Sequence, residues 1–464
     1  MSVSFNCVTN MKFTHKELVK RTETLDKKVQ GKWIKEWKED SRADKIIFLL
    51  LLLIYTGVML YLFMMQCYGV PDFVSDMPDY VNKVRGIEGN YEFPYPLFFT
   101  MAKLIALLCG APAAVAITTA VLNSLGLWIA RVYMGHGIKS LLPEIETWGE
   151  RGKGRRLLLD LTVTFLTFAL FLLGNLYSPK NTAFFGFDYA YRCMGIYTPN
   201  PIWNATYLAT RAFAVICFFE GCRALGLVEK LWKEKVSLAD EKNTLWKEFV
   251  PFAVSLFLTT ITKPSFTMVI LPAMGALLFL QLIRSRGKSF PYAFFLCVFM
   301  IPTGIDLLYQ FFGVFTGTNV MGEETGIGFA FAKVWSNYSK NIWLSILMGM
   351  ALPIGVLILN ARELLKNAYY RFAWTIYLVS TLMFLCLYEK GFRMMHANFS
   401  WGYMHGMFFV YLLTLLLMLK NTVQWYKSYK VVFVLAEWAV FFYHLVCGSY
   451  FLIYALQGKE LAGF

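Results

Sequence analysis

Charge is scarce in this chain: only 16% of its 464 residues are Asp, Glu, Lys or Arg, against about a quarter in an ordinary soluble domain. So little polar surface excludes a single dissolved globule of this length. Also missing are the short alternating segments of a membrane β-barrel. No Gly-rich phosphate loop is found, and no Asp-x-Asp triplet follows a strand, so soluble nucleotide-binding features are absent. The nine cysteines are Cys7, Cys67, Cys109, Cys193, Cys217, Cys222, Cys297, Cys386 and Cys447. Most fall inside apolar runs, where Cys acts as a small hydrophobe, so neither a disulfide framework nor a zinc site is expected.

What the chain has instead is hydrophobicity gathered into runs. It is 57% hydrophobic with a mean hydropathy of +0.50, and its apolar residues recur in stretches of about 20, the length of a helix crossing the hydrocarbon core. The expected fold is all-α, a polytopic transmembrane bundle of about eleven spans. The net charge of +14 does not indicate nucleic acid, because the Lys and Arg residues sit in short loops between apolar runs, as the positive-inside rule demands.

Residues 1–45 form a basic segment, expected on the cytoplasmic side. Around Gly31–Lys38 it mixes Trp and Lys at helical spacing, as an interfacial helix or a solvated tail would. Spans are expected near 46–66, 112–133, 157–177, 206–226, 249–262, 265–283, 291–313, 341–359, 372–388, 401–420 and 431–456. A 14-residue apolar stretch at 96–109 is too short to span and reads as re-entrant or interfacial. Alternation then gives Lys/Arg-rich inner loops, for example Lys139, Arg151, Lys153, Arg155 and Arg156 in 135–156. The outer loops are 67–111, 178–205, 314–340, 389–400 and the tail from Gln457.

Four polar clusters fall on that outer side, although the topology was set by Lys and Arg elsewhere. The first is Ser75-Asp76-Met77-Pro78-Asp79-Tyr80. Here Asp76 can cap a helix carrying Pro78 in its first turn, with Val81, Val84 and Ile87 on its apolar side. Asp76 and Asp79 share a helix face, and a partly desolvated carboxylate there can accept a hydroxyl proton. A capping Asp and a solvated Asp are the plainer alternative.

The second cluster, Gly195–Tyr207, holds Asn200, Trp203 and Asn204 in a Pro-rich turn. Arg211 follows one turn inside a helix, where a charge must pair, stay wet or snorkel. The third is Thr262-Lys263-Pro264-Ser265-Phe266, whose Lys263 either anchors a turn or meets an anionic headgroup. The fourth runs from Glu389 through Arg393, His396 and Asn398 to Trp401. Glu323 and Glu324 read as solvated, and His405 and His444 as helix–helix hydrogen-bonding partners.

These segments, with Tyr91-Glu92-Phe93-Pro94-Tyr95-Pro96-Leu97 after the Asp pair, resemble the GT-C superfamily of membrane glycosyltransferases, especially its uncharacterised bacterial members of Gram-positive type. The likeness covers most of the chain, but it lies in layout and in short motifs: a cytoplasmic start, one span, then an outer loop bearing Asp. What the resemblance implies is an enzyme moving a sugar from a polyprenyl-phosphate donor to a glycan, lipid or protein acceptor at the extracytoplasmic face of the cell membrane. Asp76 or Asp79 would be the catalytic base of an inverting displacement. Lys263, Arg211 or Arg393 would stabilise the leaving phosphate, and Tyr95, Asn200, Trp203, Asn204, Glu389, His396, Asn398 and Trp401 would bind substrate. No cofactor is expected, a divalent metal is not indicated, and nucleic acid is not a partner. A polysaccharide polymerase or ligase, or a transporter or flippase of lipid-linked substrates, are the other classes compatible with the sequence. The chain departs from better-known members in having no obvious large soluble outer domain.

Overall fold

The computed structural model describes residues 37, 40–87, 93–176, 195–315, 325–339 and 341–459. Of the basic segment 1–45, residues 1–36, 38 and 39 lie outside these, and so do Glu323 and Glu324. What is described is almost wholly helical. Helix α1 spans Arg42–Cys67, α2 Met77–Arg85, α3 Pro96–Cys109, α4 Ala111–Leu141, α5 Pro143–Glu150 and α6 Lys153–Leu170. Then come α7 Ala205–Glu234, α8 Leu238–Thr262, α9 Thr267–Arg284 and α10 Phe290–Phe315. The remaining helices are α11 Trp335–Tyr338, α12 Ile342–Leu359, α13 Glu363–Lys366, α14 Ala368–Cys386, α15 Phe399–Trp425 and α16 Val431–Leu456.

Among the described residues, eight helical stretches are long and apolar enough to cross a bilayer. They fall in α1, α4, α8, α9, α10, α12, α16 and the stretch ending in α15. The protein is therefore a helical membrane protein. The three other expected spans are also helices (α6, α7 and α14), but they do not join the eight. Charges explain two of them: α6 carries Lys153, Arg155, Arg156 and Asp160, and α7 carries Arg211, Glu220 and Arg223. The short apolar stretch is the 14-residue helix α3.

Helix α15 is the axis of the bundle, buried from Phe399 to Met418. Two glycines one turn apart let neighbours close on it, the small-xxx-small device of membrane helices. A Cβ on Gly402 would stand 2.6 Å from Val269 Cγ1 of α9, and one on Gly406 would stand 2.9 Å from Tyr377 Cα of α14.

Irregular backbone is tolerated inside such a bundle only where its polar groups find partners. Here the segments 171–176 and 195–204 are threaded through the interior, largely buried. Asn200 Nδ2 donates to the Leu170 and Leu173 carbonyls at 2.9 and 2.8 Å, and Asn175 Nδ2 donates to the Ile196 carbonyl at 2.8 Å. Helix α12 breaks at Met350 (φ −128°, ψ 16°) ahead of Pro353. Pro353 has no N–H for the Gly349 carbonyl, and Tyr411 supplies its hydroxyl instead at 2.7 Å. The expectation that His444 serves helix packing fits its place here, 3.4 Å from the Leu352 N–H and 2.7 Å from the Gly174 carbonyl.

At the far end of α1 from Asp76, about 35 Å away along the helix axis, lies a dense ionic network. Arg131 (1% exposed) holds Asp44 (0% exposed) at 2.7 Å and Asp40 at 3.3 Å. Arg156 bridges Asp40 at 3.2 Å and Asp160 at 2.9 Å, and Thr164 donates to Asp44 at 2.7 Å. A short antiparallel pair, β1 (Ile327–Phe329) with β2 (Leu387–Glu389), completes the fold. Ile327 lies opposite Glu389 in its register.

Candidate functional site

At the Asp76 end, α2, α9, α10, the start of α15 and the segments that precede α7 and follow α8 and β2 line a cavity of about 1090 Å³, at the upper end of ligand-pocket sizes. One wall is polar and carries Asp76, Asn204, Lys263, Glu389 and Arg393. The other is the apolar side of α10, with Ile305, Leu308 and Phe311. A ligand that fills it must have a polar end and a hydrocarbon body.

Asn204 organises the polar wall. It is the N-cap of α7, its Oδ1 accepting from the Tyr207 N–H at 3.0 Å. The cap decides the amide's orientation, so Nδ2 faces Asp76 and donates to Oδ2 at 2.9 Å. The same Oδ1 accepts from Lys263 Nζ at 3.1 Å. Lys263 reaches this position because Pro264 follows it. A residue before proline is driven out of helical geometry, so Lys263 is extended (φ −166°) and ends α8. Its ammonium also reaches Thr206 Oγ1 at 3.4 Å and lies 4.7 Å from the centre of the Trp401 ring. Among the described residues, one of its three N–H bonds has no hydrogen-bond acceptor.

The expectation that Asp76 caps α2 is corrected in one respect. It does occupy the N-cap position, but its side chain makes no capping bond because Asn204 engages it instead. Within α2, Met77, Tyr80, Val81 and Val84 are buried, while Ile87 lies past the Gly86 turn and is exposed. Burial pushes the Asp76 carboxyl above the usual carboxylate range, opposed by Asn204 and Lys263 and helped by Asp79. Burial also pulls Lys263 down to about 7, Asp76 opposing and Arg393 adding to the fall. Asp79 is exposed, and partial burial raises its carboxyl too.

A second polar unit comes from the end of β2. Arg393 Nε donates to Glu389 Oε2 at 3.1 Å, and Asn398 Nδ2 donates to the same oxygen. The strand pair fixes Glu389, and the 3-10 turn Gly391–His396 brings Arg393 back to it. Both terminal nitrogens of Arg393 have no hydrogen bond among the described residues. Lys263 and Arg393 are thus both tethered on one side and open to the cavity on the other.

Of the residues singled out in the sequence, Asp76, Asp79, Tyr95, Trp203, Asn204, Lys263, Glu389, Arg393, His396, Asn398 and Trp401 line this cavity. Arg211 and Asn200 do not. Arg211 is 1% exposed and donates to the Pro199 carbonyl. Its guanidinium lies between the Phe171, Tyr207 and Phe408 rings at 5.1, 5.2 and 5.0 Å. It braces the turn before Asn204 from behind, because position 211 faces the bundle axis while 204 and 206 open α7 toward the cavity. Asn200 is held by the end of α6, as described above. Tyr80, which lines the cavity, and Thr206, which lies 3.3 Å from it and reaches Lys263, were not singled out as site residues; Thr206 stands two residues after Asn204, which is the one local hint. The α10 wall carries no sequence signal, since any apolar helix reads the same way. Among the described residues, no three His, Cys, Asp or Glu side chains come together in a group fit to hold a metal.

No family model matches this chain, and neither curated proteins nor solved structures yield a match.

Proposed function

We propose that this protein is a membrane glycosyltransferase of GT-C type that takes a sugar from a polyprenyl-phosphate donor. The observation that carries this reading is the pair of tethered cations, Lys263 and Arg393, with uncommitted donors at the polar end of a cavity whose far wall is hydrocarbon. A phosphate suits two convergent N–H donors, and a polyprenyl chain suits the α10 wall. Topology completes the proposal: eleven spans, the N-terminus in the cytoplasm and the cavity on the extracytoplasmic side, with a hydroxyl of a glycan, lipid or protein as acceptor.

Asp76 is the better base of the two carboxylates, since it is drawn into the polar wall while Asp79 is exposed. The acceptor oxygen attacks the anomeric carbon as its proton passes to Asp76. The carbon–oxygen bond to phosphate breaks, and its electron pair leaves with the phosphate. Lys263 and Arg393 stabilise the charge that gathers there, and the configuration inverts. Transfer from a radiolabelled polyprenyl-phosphate sugar tests this: D76N loses turnover while still binding donor, and D79N retains it. Full turnover in D76N contradicts the assigned base, and uptake by proteoliposomes without any transfer product contradicts the enzyme class.

A further inference from the structure

Behind the cavity wall, α10 carries an ionisable residue that the proposed transfer does not use. Asp306 lies inside the apolar span Phe290–Phe315, nine residues from its end at Phe315, or about 14 Å along the axis. Thr303, Asp306 and Gln310 stand three and four residues apart on one face. Gln310 Nε2 donates to Asp306 Oδ2 at 2.6 Å and to the Thr260 carbonyl of α8 at 3.1 Å, which orients its amide oxygen away from both.

That oxygen, Gln310 Oε1, is buried without a hydrogen-bond partner among the described residues, as is Thr303 Oγ1. The two residues are 4% and 1% exposed. Among the described residues no Lys, Arg or His pairs with Asp306. The basic groups on the neighbouring helices are engaged elsewhere: Lys263 at the end of α8 with Asn204, Arg211 of α7 with Pro199, and Arg223 of α7 with Glu220 and Glu248. Lys247 of α8 lies 13 residues before Thr260, about 20 Å along that helix.

A bare carboxylate at this depth is too costly to persist. Three oxygen donors lie on one helix face, two of them buried and unpartnered, with a carboxylate between them. We propose that the Thr303–Asp306–Gln310 face binds an exchangeable monovalent cation, a proton or Na+, which neutralises Asp306 within the membrane. Gln310 also lines the cavity, so the cation reaches Asp306 from the cavity side. This inference stands apart from the glycosyl-transfer reading and survives if that reading fails.

The test is carbodiimide labelling of the full chain in lipid nanodiscs, read by peptide mass spectrometry, because carbodiimides react with protonated carboxyls in apolar surroundings. An adduct is expected on Asp306, growing as pH falls and absent in D306N. If Na+ competes, NaCl suppresses the adduct and choline chloride does not, and T303V raises the Na+ concentration needed by about tenfold. If only the proton binds, labelling follows a single titration curve untouched by NaCl. Labelling that ignores both pH and NaCl overturns the proposal. So does an unlabelled Asp306 whose pH-difference infrared spectrum shows no carboxyl band that D306N removes.

Discussion

The two ends of this bundle treat charge in opposite ways. At the end holding Asp40, Asp44, Arg131, Arg156 and Asp160, every one of these residues takes part in an ion pair or hydrogen bond inside one network. At the cavity end, Lys263 is tied to the side-chain oxygens of Asn204 and Thr206 and Arg393 to Glu389, and each keeps donors open to the cavity. Closed networks hold helices together. Half-open ones store binding capacity, because burial without full pairing keeps a group ready to exchange a neighbour for a ligand. Burial also draws Asp76 and Lys263 toward neutrality, which a closed ion pair would resist.

Breaking the closed end gives the largest effect. R131M strands Asp44 in a fully buried site and costs about 3–5 kcal/mol of stability, read as a fall in the thermal unfolding midpoint. K263M removes a cation whose only hydrogen-bond partners among the described residues are the side-chain oxygens of Asn204 and Thr206. It leaves the unfolding midpoint nearly unchanged but weakens phosphate binding by about 2–5 kcal/mol, read by titration with polyprenyl phosphate.

The half-open end also makes turnover depend on pH. Asp76 works as a base only when deprotonated, so turnover falls as pH drops through its raised range. Lys263 holds phosphate only when protonated, so affinity falls as pH rises through about 7. The expected profile is a narrow bell, and K263R, which stays charged, removes its alkaline limb. A profile that K263R leaves unchanged would assign that limb to another group. N204A is milder. It costs about 1 kcal/mol through the lost helix cap and shifts the acid limb to higher pH, because Asn204 holds the Asp76 carboxyl down. T206V removes one of the oxygens that Lys263 Nζ reaches and changes donor affinity by about 1 kcal/mol at most.

The same contrast explains what could be read from the amino-acid order. Polar residues that interrupt apolar runs announce themselves, so Lys263 in Thr-Lys-Pro and the Glu389–Trp401 segment stood out, and they do line one cavity with Asp76. Arg211 announced itself equally, yet it faces the bundle axis. Spacing gives depth along a helix but not which neighbour covers each face. The Asp44–Arg131 pair was hidden for the opposite reason, since both residues look like ordinary charges flanking a span. Asp306 had a signal that went unread, a carboxylate within an otherwise apolar run. The breaks at 171–176 and in α12 depend on partners far along the chain, such as Tyr411 and His444, and no local pattern specifies them.

The most direct test is thermal stabilisation of the purified protein by polyprenyl phosphate, compared with the uncharged polyprenol of the same length. If the cavity's polar end holds a lipid phosphate, the phosphate raises the unfolding midpoint by ligand linkage, the alcohol does so far less, and the K263M and R393M variants lose the difference. Equal stabilisation by alcohol and phosphate, or a full phosphate effect in the double variant, would contradict it.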